Sequence, residues 1–254
     1  MSLIFYFAEV AEAAEAQPVE SDVIWVLLVV TSLLAVFHLV SHPLYRLFDN
    51  AEHIVHAFSG GLAISYVFIH LLPELEEAGE AFGRSIYIIT LGGFIVFYGM
   101  QSLLLKESHE DKANDKLISR IFLIEMFFAG IYNALVIYTL PGHFHGLFTL
   151  VFVYLITMGL HLLGRNYGLY KKHGDSFKVL GSAILAISLF LGLAMNLFLD
   201  PSIDELLTDV LTAFLTGFIL FNVFVEELPT PKASTFFWFL GGISSYLILL
   251  ELGA

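Results

Sequence analysis

Val67-Phe68-Ile69-His70-Leu71-Leu72-Pro73 is answered later in the chain by Val223-Phe224-Val225-Glu226-Glu227-Leu228-Pro229. Each stretch is followed by Leu-Gly-Gly in the next apolar run, at Leu91 to Gly93 and Leu240 to Gly242. Apolar helices resemble one another by chance, but proline and paired glycines recurring in the same order mark an internal repeat. The two copies fall in the second and seventh of eight apolar runs. These are roughly Val23 to Val40, Val55 to Leu72, Ser85 to Leu105, Ile121 to Leu140, Leu147 to Tyr170, Val179 to Leu199, Leu206 to Val225 and Phe236 to Leu252. Each approaches the about 20 apolar residues that a membrane-crossing helix needs. Runs two and seven are an odd number of crossings apart, so the copies pass through the bilayer in opposite directions. The sequence therefore predicts an inverted-topology repeat, an arrangement that places a ligand site near the midplane between its halves.

The charges give this bundle a sidedness. Arg46, then Lys106, Lys112, Lys116 and Arg120, then Lys171, Lys172 and Lys178, then Lys232 occupy alternate gaps, and Arg165 lies near the same side of run five. Of the 11 basic residues only Arg84 lies opposite. Basic loops stay cytoplasmic, so both termini are expected outside, in a plasma or bacterial inner membrane. A composition of 58% hydrophobic and 14% charged residues, with a mean hydropathy of +0.83, suits a chain solvated by lipid. The expected organisation is a short acidic external segment, residues 1–22, and a single all-helical membrane domain, residues 23–254. The net charge of -13 argues against nucleic acid as a partner.

Cysteine is absent, so any metal must be held by nitrogen and oxygen donors. A repeat of three runs on each side leaves runs four and five as a central pair, and these carry the residues that lipid tolerates least. Glu125 is five residues from Arg120, about 7.5 Å of helix rise, and Arg165 is six from Lys171, about 9 Å. The two are thus expected at one depth. His161 lies one turn from Arg165 on the same face, and Asn133 continues the Glu125 face. A carboxylate at that depth needs a partner. It can ligate zinc, iron(II) or manganese(II) together with His161, or it can pair with Arg165, which would fill the site with an internal cation.

With these residues the chain resembles the ZIP family of divalent-metal transporters. Phe68 to Glu74 looks like that family's second-span ending and Val223 to Pro229 like its seventh. His161-Leu162-Leu163-Gly164-Arg165-Asn166 aligns with its span-five His-Glu-x-Pro-Glu-Gly, keeping only the histidine. Glu125-Met126-Phe127-Phe128-Ala129-Gly130 aligns with its span-four His-Asn-x-x-Asp-Gly, keeping the glycine. The resemblance implies eight spans in a three-two-three arrangement, a homodimer, and zinc-like divalent cations as substrate, with Glu125 and His161 as donors. A transporter rather than an enzyme is expected. The departures imply an alternative, a transport-inactive relative whose site is filled by a Glu125–Arg165 pair. Gly164 stands where the family has a kinking proline.

A second constellation lies near the cytoplasmic ends of runs one and two: His38 and His42, and His53 and His56, beside Asp49 and Glu52. Each histidine pair shares a helix face. The functional readings are a release site for a transported ion or, as a second alternative, the zinc site of an intramembrane hydrolase. His70 and Glu226 are repeat-related and suit the two ends of a pathway. His143, His145 and His109 with Glu110 and Asp111 are weaker candidates in the gaps.

Overall fold

The computed structural model describes residues 23–41, 52–110, 115–140, 148–199, 201–228 and 233–253. Among them the chain is helical, with no strand. The helices are α1 (Val23–Ser41), α2 (52–82), α3 (Ser85–Glu110), α4 (Asp115–Tyr138), α5 (Phe148–His173), α6 (Phe177–Phe198), α7 (201–227) and α8 (Ala233–Gly253). They follow the eight apolar runs. Six of them, all but α5 and α8, are long and apolar enough to cross a membrane. The apolar part of α8, Thr235–Glu251, is shorter, and the 26 residues of α5 include Arg165, Lys171 and Lys172. The acidic segment 1–22, His42, Asp49, Asp111, His143 and His145 lie outside the described residues.

Polarity is distributed as lipid requires. Trp25, Ile88, Val179, Phe198 and Phe237 face outward, whereas His38, Asn133, Thr157, His161, Asn166 and Asn222 are buried between helices. A bilayer offers no hydrogen bonds, so polar groups turn inward and apolar ones outward. This arrangement, with six helices long and apolar enough to cross a bilayer, is consistent with a multi-pass membrane protein.

The repeated heptapeptides adopt the same irregularity. In α2 the helix widens to a π-turn at Val67–Leu71, and α7 ends in one at Val223–Glu227, the same five positions of the motif. A third π-turn opens α6 at Phe177–Gly181.

The glycine contacts repeat with the sequence. At Gly61 of α2 a Cβ would collide with the carbonyl oxygen of Phe239 in α8, and at Gly242 of α8 one would collide with that of Phe58 in α2. At Gly217 of α7 a Cβ would collide with the carbonyl of Thr90 in α3, and at Gly93 of α3 with that of Phe214 in α7. Extending the motif alignment matches Gly61 with Gly217, Phe58 with Phe214, Gly93 with Gly242 and Thr90 with Phe239. Two backbone crossings therefore use equivalent atoms, and each depends on small residues that let helices touch. In both pairs the chains run parallel: His70 meets Tyr246 further along α2 and α8, and Phe94 meets Phe221 further along α3 and α7.

The central helices are held in a matching way. In α6, Gly192 abuts Ala134 of α4, and Asn196 Nδ2 donates to the Tyr138 carbonyl at 3.1 Å. In α5, Gly159 takes the Phe37 ring of α1 at 3.2 Å. The helix α2 packs on α5, and α4 packs on α7. Exchanging α1 with α6, α2 with α7, α3 with α8 and α4 with α5 maps this set of pairings onto itself.

Candidate functional site

The antiparallel pair α4 and α5 forms a ladder of polar side chains. At its centre Tyr132 Oη and His161 Nε2 share a hydrogen bond of 3.2 Å. One turn along α5, the Arg165 guanidinium lies over the Tyr132 ring at 4.5 Å and the Phe218 ring of α7 at 5.3 Å. Seven residues further, about 10 Å of rise, Lys172 and His173 close on the Glu125 carboxylate, one on each oxygen.

Glu125 thus has partners other than the expected Arg165. Their depths differ by about two turns because α4 and α5 are staggered: α5 ends at His173, opposite Glu125, while α4 continues back to Asp115. Depth reckoned from Arg120 and Lys171 ignored that offset. Lys172 is 46% exposed, so its ammonium reaches water while its stem lies along the bundle. His173 is 3% exposed and braced edge-on by Phe122.

A cavity of about 330 Å³ runs along this ladder between α2, α3, α4, α5 and α7. Glu125, His161, Arg165 and Lys172 line it, together with His56 and Asn222. Gly168 makes room, since a Cβ there would meet nothing within 4 Å, whereas Gly164 lets Ser59 pack close, 3.2 Å from where a Cβ would stand. The helix passes through Gly164 without a break, so no backbone carbonyls are released there. Arg165 Nη1 has no hydrogen-bond partner, and among the described residues neither hydrogen bond nor ion pair reaches the guanidinium.

The expected metal donors are distributed rather than gathered. Among the described residues no three His, Asp or Glu side chains stand where one metal ion could bind them. Glu125 and His161 line the same cavity, but His161 contacts Tyr132 and Glu125 contacts Lys172 and His173. The histidines of α1 and α2 separate as well. His38 is buried between α4 and α5: Asn133 Nδ2 donates to its Nε2 at 3.0 Å, which leaves Nδ1–H to donate to Asn166 Oδ1 at 3.1 Å. Asn133 also donates to the Leu185 carbonyl of α6 at 3.3 Å, so one amide ties three helices. His53 is exposed, and His56 faces the cavity with its ring 6.2 Å from Tyr167. His70 packs against Tyr66 and Tyr246 in the π-turn of α2, and Glu226 lies in the π-turn of α7.

Lys172, His173, Asn166 and Tyr132 are the site residues that sequence reasoning passed over. Three of them had a visible signal: Asn166 is i+1 from Arg165, and Lys172 and His173 close the basic end of the same helix. Tyr132 had none, since one tyrosine among 11 reads as an ordinary core aromatic. No protein-family model, curated protein or solved structure matches this chain.

Proposed function

We propose that this chain is an eight-span membrane protein of ZIP-like, three-two-three inverted-repeat arrangement whose central cavity does not conduct divalent metal. The duplicated glycine crossings and π-turns support the arrangement. The observation that carries the functional reading is Arg165. A guanidinium stays charged throughout the accessible pH range. It lines the cavity between two aromatic faces, in the stretch of α5 where the family resemblance puts a carboxylate. Any divalent ion passing the Glu125–His161 level would be repelled by it, and the one carboxylate described there is already engaged by Lys172 and His173. The site is occupied by resident cations, as in the transport-inactive alternative, but Glu125 and Arg165 meet their needs separately.

The test is flux. In proteoliposomes loaded with a metal-sensitive dye, Zn2+, Mn2+ and Fe2+ entry should equal that of protein-free vesicles. Saturable uptake of any of the three, abolished by Glu125→Gln, would overturn the reading.

A further inference from the structure

We infer that the cavity beside Arg165 is a binding site for an oxyanion, a phosphate or carboxylate group carried on a small apolar body. The inference deepens the reading above, since it names what a cavity closed to metal would take.

Charge is the first argument. Glu125 is engaged by both Lys172 and His173, so it is not available to Arg165, which lies seven residues before Lys172 on the cavity wall. Counting the Lys, Arg and carboxylate side chains, Arg165, Lys172 and Glu125 leave the wall with one net positive charge. Two aromatic faces hold the guanidinium in place. They do not replace an anion, because Nη1 is buried with no hydrogen-bond partner and a cation–π contact recovers only about 2 kcal/mol when desolvated. Geometry is the second argument. Gly168, where a Cβ would meet nothing within 4 Å, keeps the α5 wall clear of side chains and leaves open volume in the cavity that the planar fork of Arg165 lines. That fork matches a carboxylate or phosphate edge in two parallel hydrogen bonds. Lining is the third. Met100, Phe128 and Phe221 complete the wall, an apolar surface for whatever carries the anionic group. A hydrated metal would gain nothing from it. Lys172, half exposed at one end, marks the entrance and attracts anions towards it.

The ligand's anionic group can belong to a soluble molecule or to a phospholipid headgroup. The experiment separates them. The full chain, purified in a neutral detergent, is titrated with inorganic phosphate, hexyl phosphate and hexanoate while its thermal unfolding midpoint is followed. In parallel it is reconstituted in phosphatidylcholine nanodiscs with and without phosphatidic acid. A soluble ligand raises the wild-type midpoint saturably with hexyl phosphate or hexanoate. A lipid ligand raises it with phosphatidic acid alone. Either outcome requires Arg165→Met to weaken the response about 10- to 100-fold, the loss of a charge-assisted hydrogen bond. Gly168→Leu, whose Cβ enters space with no atom within 4 Å, should abolish it while the protein still folds. An unaltered response in both variants, or no response of the wild type to any of these probes, overturns the site. Metal flux is measured separately. Anion binding together with zinc uptake would refute the metal-closed reading and leave the anion site standing, whereas absence of both would do the reverse.

Discussion

At the scale of single residues, the buried acid Glu125 and the half-buried base Arg165 find separate solutions. Glu125 is 9% exposed and rests on two partners of different character. Lys172 can retreat into water, but His173 cannot. Removing partners and removing the acid therefore have unequal effects. In Lys172→Met/His173→Phe the carboxylate stays behind in an apolar wall, at a cost of about 3 kcal/mol or more. Adding Glu125→Leu to that pair should recover most of the loss, and Glu125→Leu alone should cost less than the double variant. Thermal unfolding in detergent reads the order; a triple variant no more stable than the double would refute it. How legible was this? Glu125 stood out in the sequence because nothing else in its run is charged. Its partners were visible only as the basic end of a helix, with nothing in the sequence to tie Lys172 and His173 to the acid. Only the stagger of α4 against α5 brings them level with the acid. His38 is a similar case: its spacing to His42 suggested a metal, but two asparagines on other helices take both ring nitrogens.

At the scale of helices, the glycine doublets decide the packing, one member of each doing the work. Gly61, Gly93 and Gly242 make backbone contact, whereas a Cβ on Gly92 would meet nothing within 4 Å. The fourth crossing glycine, Gly217, has no doublet to advertise it. It was nevertheless readable: Ala57-Phe58-x-x-Gly61 matches Ala213-Phe214-x-x-Gly217, six residues ahead of each valine that opens a repeated heptapeptide. The π-turns could not be read, since their widening depends on which carbonyl the later amide reaches. Because the two crossings use equivalent atoms, Gly61→Val and Gly217→Val should each destabilise by about 1–3 kcal/mol or more, and by similar amounts. Gly92→Ala should be neutral. Unfolding midpoints that fell for only one of the crossing variants would show that the symmetry is not energetic.

At the scale of the whole molecule, the two halves share pairings but not their fillings. On the Lys172 side the cavity lies open along α5. On the opposite side the related volume is packed with aromatic rings: Tyr66 lies 6.0 Å from Tyr154 and 5.6 Å from His70, and His70 lies 6.0 Å from Tyr246. Tyr66, Tyr154 and Tyr246 are all buried. Equivalent helices thus enclose a cleft at one end and a plug at the other, which is what a repeat of opposite direction permits when its halves close differently. If the basic gaps are cytoplasmic, the cleft opens inward. The cysteine-free chain makes this testable with single substitutions. Gly168→Cys, in a glycine position with open space around it, should react with a membrane-impermeant maleimide in inside-out vesicles and stay unmodified in right-side-out ones. Glu76→Cys, exposed on α2 beyond Pro73, should show the reverse preference. Adding Tyr66→Ala and Tyr246→Ala to the Gly168→Cys chain removes two rings of the plug and should let the reagent reach it from outside. Equal labelling of Gly168→Cys from both faces before the tyrosines are removed would mean that the aromatic cluster does not seal the bundle.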